Sequence, residues 1–257
     1  MKFSTKTKLK RSGLFVLAMI PLAVIGGYCA ELYMLSAMDE ATKSQLVTQF
    51  GSLEKLLVVG IVQVTLYAVI TGGLGSYIAQ KVGLWKSFGL DKHALLLMLA
   101  LSVLGGVVLG FDPWVSSHFV ADGVMDATNE ARQTGIYLIT GLLYGGVVEE
   151  LFMRVFLMSL FALILWKIFW HKQEQAPVKA FVAANIVTAL LFAMGHLPAN
   201  YSLFGGLTIY IVIRCFVLNG CYGLIFGWLY RTFGIQYAML CHAGCHLFEW
   251  ILLSILL

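Results

Sequence analysis

Long apolar blocks alternate with short charged segments along this chain. Each block is almost free of charge, and most reach the roughly 20 residues that a helix needs to cross the hydrocarbon core of a membrane. The period-two alternation of barrel strands is absent, so helices must satisfy the backbone hydrogen bonds in lipid. The pattern predicts an all-α fold, a polytopic transmembrane helical bundle of seven to eight spans. The blocks are residues 14–38, 56–79, 95–110, 136–166, 180–195, 207–230 and 237–257.

The fourth block decides between seven spans and eight. At ~1.5 Å per residue a helix over residues 136–166 exceeds the ~30 Å core, so a single crossing must tilt, bend or break, and two short crossings would give eight spans. The charges of the flanking loops favour one crossing, because basic loops face the cytoplasm. These charges are Lys81, Lys86 and Lys92 before the third block, and Asp112, Asp122, Asp126 and Glu130 in residues 111–132, a loop expected outside.

The first block resembles a secretory signal only in its basic start. Its apolar run continues to Met38, whereas the hydrophobic region of a signal peptide spans at most ~15 residues, and no clear cleavage site follows. We therefore expect an uncleaved first span, an N-terminus in the cytoplasm and a multi-pass protein of the cell membrane. The whole chain, residues 1–257, is predicted to form a single integral membrane domain.

Composition limits the partners of the protein. Hydrophobic residues make up 60% of the 257 residues and charged residues 12%, whereas a soluble domain carries roughly a quarter charged residues. Lysines next to the spans explain the formal net charge of +4. The predicted partner is therefore the lipid bilayer, and no nucleic acid is expected to bind. The five cysteines all lie in apolar blocks, and their odd number argues against a disulfide framework.

Ionisable residues inside the blocks are functional hypotheses, because a charge near the bilayer centre costs roughly 2.5 kcal/mol or more. Glu149, Glu150 and Arg154 form the first cluster. Glu150 and Arg154 are four residues apart on a helix and can pair, whereas Glu149 lies about 100° round the helix and remains free to act as a general base. A membrane-boundary charge cluster is the alternative, disfavoured by the apolar residues on both sides. Arg214 and Glu31 are each expected to pair with a neighbouring helix.

Two further clusters carry histidine. His196 directly follows the fifth block, at the C-terminal end of its predicted helix, where the helix dipole favours an imidazolium. His242, His246 and Glu249 are spaced as one face of the last helix, which must look into the protein, and Glu249 can fix the tautomer of His246. A hydrogen-bonded packing stripe is the alternative. Counting residues along the spans leaves open whether His196 and His242 reach the same depth.

Peptide hydrolysis needs a base that activates water and donors that hold the developing oxyanion. A free buried glutamate with nearby histidines supplies both. The motifs of other protease classes are absent from the sequence. The chain has no Gly-x-Ser-x-Gly for a serine nucleophile, no His-Glu-x-x-His for a zincin and no pair of intramembrane aspartates.

The three clusters together resemble a known family. Their motifs are Glu149-Glu150-x-x-x-Arg154, Phe192-x-x-x-His196 and His242 followed four residues later by another polar residue. In order, spacing and apolar setting they resemble the CPBP family, which comprises type II CAAX prenyl proteases and bacteriocin-processing or bacteriocin-immunity membrane proteins. The resemblance covers about the second half of the chain. It implies an intramembrane endopeptidase with a catalytic core at about residues 134–257.

The resemblance also implies a role for each matching position. Glu149 would activate the water and His196 would assist it. His242 and His246 would stabilise the oxyanion. Glu150 and Arg154 would hold the site together, and a peptide or protein at the membrane would be the substrate, such as a leader, bacteriocin, signalling or lipidated peptide.

One position departs from the family, which usually has asparagine where this chain has His246. A neutral imidazole still donates one hydrogen bond, but histidines four residues apart are also a metal-ligand pair. With Glu149 and His196, the pair His242 and His246 could complete a zinc site that holds an activated water. Metal-free catalysis by Glu149 is the first hypothesis, with no cofactor required, and zinc is the alternative. A proton-coupled transporter and a non-catalytic bacteriocin-immunity protein are the hypotheses from other functional classes.

Overall fold

The computed structural model describes residues 4–36, 38, 40–121, 124, 130 and 132–256. Within these residues the regular structure is helical and there are no strands, which confirms the all-α prediction. The helices are α1 (Thr5–Ser36), α2 (Glu40–Phe50), α3 (Leu53–Val82), α4 (Lys92–Ser116), α5 (Gly135–Phe169), α6 (Val178–Gly195), α7 (Leu197–Phe204), α8 (Ile209–Thr232) and α9 (Ile235–Leu256).

Seven stretches of helix in the described part of the chain are long and apolar enough to cross a membrane. They are α1, α3, α4, α5, α8, α9 and the continuous stretch Val178–Phe204, which joins α6 to α7. Each overlaps with one of the seven apolar blocks. The fourth block forms a single helix, so the described residues agree with the seven-span alternative.

Local sequence explains where several helices begin and end. The Ser52 hydroxyl accepts a hydrogen bond from the backbone N–H of Lys55 at the start of α3, and the Asp91 carboxylate accepts one from Ala94 at the start of α4, at 2.8 Å. Gly83 ends α3 with φ of 87°, a left-handed conformation that favours glycine.

The long helix α5 is not a regular α-helix in its centre. Two π-helical segments, Thr140–Glu149 and Leu151–Met158, interrupt it and flank Glu150. Wide turns of this kind recur at functional sites, because they re-aim the side chains of one turn. The Glu-Glu motif therefore lies where the helix departs from standard geometry.

Small residues bring α9 close to α5. A Cβ atom added to Gly141 would lie 2.6 Å from the His246 side chain, and one added to Gly146 would lie 2.8 Å from the Cβ atom of Ala243. Neither contact leaves room for a side chain on α5, so glycine is required for this approach. The close packing sets the distance between the acidic motif of α5 and the histidines of α9.

The prediction of an external loop over residues 111–132 is wrong at both ends. Helix α4 continues to Ser116, so Asp112 is helical and buried. Arg132 is buried as well. Both side chains form ion pairs inside the bundle, whereas they were predicted to be solvated residues of an external loop. Asp122 and Asp126 lie outside the described residues.

Candidate active site

Glu149 lies where three helices meet. Its Oε1 atom is 3.8 Å from Nε2 of His196, at the end of α6, and its Oε2 atom is 3.9 Å from Nε2 of His242, on α9. The two histidines therefore reach the same depth, which settles the point that span counting left open. The Glu149 side chain keeps 22% of its surface exposed and lines a cavity, so the carboxylate is accessible to a molecule that enters it.

His196 is held in one orientation by its own helix. Its Nδ1–H donates to the carbonyl oxygen of Phe192 at 2.8 Å, since a carbonyl can only accept. The Phe192 ring contacts the imidazole edge to face, with the ring centroids 4.6 Å apart. In the neutral ring this leaves the lone pair of Nε2 directed towards Glu149.

His242 is oriented by the second acid of the motif. Its Nδ1 atom lies 2.9 Å from Oε1 of Glu150, and its ring stacks on Phe226 with centroids 4.5 Å apart. A carboxylate accepts hydrogen bonds, so Nδ1 carries the hydrogen and Nε2 faces Glu149. Residue spacing predicted only Arg154 as a partner of Glu150, and it did not predict this second partner on α9.

The predicted pair of Glu150 and Arg154 is present and almost completely buried. The Nη1 atom of Arg154 is 3.2 Å from Oε1 of Glu150, and the two side chains keep 1% and 0% of their surface. Arg154 also donates through Nη2 to the carbonyl oxygen of Gly223 at 3.0 Å. Its guanidinium lies over the rings of Phe192 and Phe226. Arg154 thus ties α5 to α6 and α8 around the site.

His246 has a carboxylate partner of its own. Its Nδ1 atom is 3.0 Å from Oε2 of Glu249, the contact that the spacing of these two residues predicted. The buried Glu249 also accepts a hydrogen bond from the Tyr137 hydroxyl at 2.9 Å and pairs with the Arg132 guanidinium. The sequence pattern predicted no role in the site for Arg132 or Tyr137. The available signal was Glu249 itself, because a buried carboxylate requires a cation.

The same network continues away from the site. Arg132 lies 3.6 Å from Asp112, and Asp112 pairs with Arg214 on α8. Arg214 donates in turn to Asn200 of α7 at 3.1 Å. The expectation that Arg214 pairs with a neighbouring helix is confirmed, and the chain of contacts joins α4, α7, α8 and α9.

Gly145 leaves an open space beside both histidines of α9. A Cβ atom added to Gly145 would lie 3.3 Å from Nε2 of His242 and 3.3 Å from Nε2 of His246. Carboxylates hold the Nδ1 atoms of both rings, so the two Nε2 atoms are the ones that face this space. As imidazolium rings they would present two N–H donors to one small group next to Glu149.

A cavity of about 670 Å³ opens beside Glu149. It lies between α1, α2, α3, α5, α6 and α7, and most of its surface is apolar. Glu149 and His196 line it, together with Glu31, Tyr144 and Phe152. Such a cavity suits a largely apolar molecule that presents one polar bond to the carboxylate.

The four residues of the alternative zinc site do not form a compact ligand cluster. Among the residues that the structure describes, no group of three or more histidine, cysteine, aspartate or glutamate side chains is arranged to hold a metal ion. Glu149 faces His196 and His242 separately, and the Nδ1 atom of His246 is directed to Glu249.

A comparison with known protein families covers the segment that contains most of this site. Residues 131–248 match the family model described as type II CAAX prenyl endopeptidase Rce1-like. This segment is similar to the Rce1-like family. The predicted resemblance is confirmed over these residues, and the match supports an intramembrane protease. No curated protein and no solved structure matches the chain.

The Rce1-like segment contains all four predicted catalytic residues. It extends from the position before Arg132 to the position before Glu249. Helices α1 and α3, which form one wall of the cavity, lie outside the matched segment.

Proposed function

We propose that this protein is an intramembrane endopeptidase that hydrolyses a membrane-associated peptide or protein with water activated by Glu149. The observation that carries the proposal is the position of the Glu149 carboxylate, within 4 Å of Nε2 of both His196 and His242 and open to an apolar cavity. The substrate would be a leader, bacteriocin, signalling or lipidated peptide. The catalytic core would comprise residues 134–257, in a cell-membrane protein with a cytoplasmic N-terminus.

The first step in this mechanism is removal of a proton from water. Glu149 takes the proton, while Nε2 of His196 accepts a hydrogen bond from the same water through its lone pair. The resulting hydroxide attacks the carbonyl carbon of the scissile peptide. A positioned general base typically contributes 10²–10⁴-fold to such a rate.

The second step is stabilisation of the oxyanion and release of the amine. His242 and His246 would donate from Nε2 as imidazolium rings, with Glu150 and Glu249 supporting the positive charges. One donor of this kind is worth about 10²–10³ in kcat. Protonated Glu149 then returns its proton to the leaving nitrogen, so one water is consumed and a carboxylic acid and an amine are formed.

A direct test uses purified protein in proteoliposomes with lipidated and leader peptides. Glu149→Gln and Glu149→Ala should reduce cleavage by at least about 10²-fold, with thermal unfolding close to that of the wild type. Glu40→Gln serves as the matched control, because Glu40 is exposed and does not line the cavity. Cleavage that persists in both Glu149 variants would show that another group is the base.

The second candidate is a zinc-dependent protease that uses the same four residues. Glu149 lies within 4 Å of Nε2 of both His196 and His242, which favours this candidate, although no group of three such side chains in the described part of the chain is arranged to hold a metal ion. Bound zinc would supply Lewis-acid polarisation of the water. Loss of cleavage with a chelator and recovery with added zinc would favour this candidate. Proton flux through the proteoliposomes without any cleavage would favour the transporter, and neither activity would favour the immunity protein.

A further inference from the structure

Glu31 brings a second carboxylate to the cavity of the proposed active site. It lies on α1, within a stretch that is long and apolar enough to cross a membrane, and it lines the same cavity as Glu149. Its position is outside the Rce1-like segment. The family match therefore assigns it no role.

A glycine on α3 leaves space for the Glu31 side chain. Gly60 of α3 faces Glu31 so closely that a Cβ atom there would collide with the Glu31 carboxyl group. A larger residue at position 60 would push the carboxylate out of its present place. The glycine keeps Glu31 at the wall of the cavity.

Glu31 is half-buried and differs from the acidic residues that are fully buried in the bundle. Asp112, Glu150 and Glu249 each contact an arginine. In the part of the chain that the structure describes, Glu31 has neither a hydrogen bond nor an ion pair, contrary to the expectation that it pairs with a neighbouring helix. An unpaired carboxylate within a span is costly, so its natural partner is a group that enters the cavity.

The cavity favours a cation as that group. Glu31 and Glu149 line this cavity together, with Tyr144 of α5. No lysine or arginine of the described residues lines the cavity, and most of its remaining wall is apolar. Opposite charges attract strongly where water is scarce.

We propose that Glu31 determines substrate specificity by binding a positively charged group of the peptide, a lysine or arginine side chain or the α-amino group, while Glu149 acts on the scissile bond. This inference rests on the proposed endopeptidase function and names its substrate class. Apolar groups of the peptide would occupy the rest of the cavity.

The test compares matched peptides that differ in one charge. A peptide cleaved by the wild type is synthesised with lysine or its neutral isostere norleucine at each position in turn, and with a free or acetylated N-terminus. At one position of the peptide, the wild-type kcat/KM should be roughly tenfold or more higher with the charged group than with the neutral one. Glu31→Gln should bring that ratio close to one. Glu31→Lys should reverse the preference, so that a peptide with glutamate at the same position is cleaved faster than the lysine peptide.

The control variant is Glu54→Gln, which removes an exposed carboxylate of α3 that does not line the cavity and should keep the wild-type ratio. Binding of the same fluorescent peptides to the Glu149→Gln protein provides a readout without catalysis. There the charged peptide should bind more tightly, and the additional change Glu31→Gln should remove the difference.

The two proposals fail in different ways. Glu149-dependent cleavage with no charge preference at any position, or with a preference that survives Glu31→Gln, overturns the role of Glu31 and leaves the endopeptidase intact. Absence of Glu149-dependent cleavage counts against the endopeptidase. In that case equal binding of the charged and neutral peptides to the Glu149→Gln protein overturns the role of Glu31 as well.

Discussion

The Nδ1 atom of His242 lies 2.9 Å from Oε1 of Glu150, which also faces Arg154 at 3.2 Å. One buried carboxylate therefore neutralises an arginine on its own helix and orients a histidine on the last helix. Because Glu150 fixes Nδ1, the opposite nitrogen of His242 must face Glu149. The adjacent acids of the motif thus have separate functions, positioning for Glu150 and proposed chemistry for Glu149.

Glu150→Gln is expected to destabilise the protein strongly. The change leaves Arg154 buried without its counter-charge, and breaking a buried ion pair costs about 3–5 kcal/mol. The measurement is the midpoint of thermal unfolding in detergent. Glu40→Gln is the control, because it removes only an exposed pair with Lys43, worth about 0–1 kcal/mol. A Glu150→Gln protein as stable as the control would contradict the structural role of the pair.

Gly145→Ala is expected to impair catalysis more than folding. The added methyl group would lie 3.3 Å from Nε2 of both His242 and His246, so the rings must shift by a few tenths of an ångström. Since displacements of this kind are expensive in a preorganised site, kcat should fall by about tenfold or more. Gly13→Ala is the control, because nothing lies within 4 Å of the added atom there. Equal kcat values for the two variants would exclude a role for the space beside Gly145.

His246→Asn is expected to retain most of the activity. The carboxamide restores the usual residue of the family at this position and still donates a hydrogen bond. We expect kcat within about tenfold of the wild type, whereas His246→Leu, which has no donor, should lose about 10²–10³-fold. The comparison is made on the same peptide. If the asparagine and leucine variants were equally inactive, His246 would act by something other than hydrogen-bond donation, such as metal binding.

Arg132→Gln and Tyr137→Phe should destabilise the protein to different extents. Arg132→Gln leaves the buried Glu249 without its cation, at a cost of about 3–5 kcal/mol. Tyr137→Phe removes one hydrogen bond to the same carboxylate, worth about 1.5–3 kcal/mol. Thermal unfolding of the two variants in parallel gives the order. A smaller effect for Arg132→Gln would mean that Glu249 draws its charge balance from another group.

Whether a contact of the site could be predicted from the sequence depended on how many residues separate its two partners. Glu150 with Arg154 and His246 with Glu249 are within one helical turn, so residue spacing alone identified both pairs. The contact of Glu150 with His242 crosses 92 residues and that of Arg132 with Glu249 crosses 117. No periodicity along one helix reports contacts of this kind, and the charges of Asp112 and Arg132 were mistaken for those of a solvated loop.

The sequence by itself determined the membrane fold, the number of apolar blocks and the residues of the family motifs. These follow from local composition, because a helix in lipid satisfies its own backbone and needs only length and apolarity. Tertiary structure alone decided which helices meet. The glycines of α5 admit α9, the carboxylates then aim the histidines, and α1 and α3 close the cavity with Glu31 in its wall. Those arrangements depend on packing between distant segments, which a linear pattern does not encode.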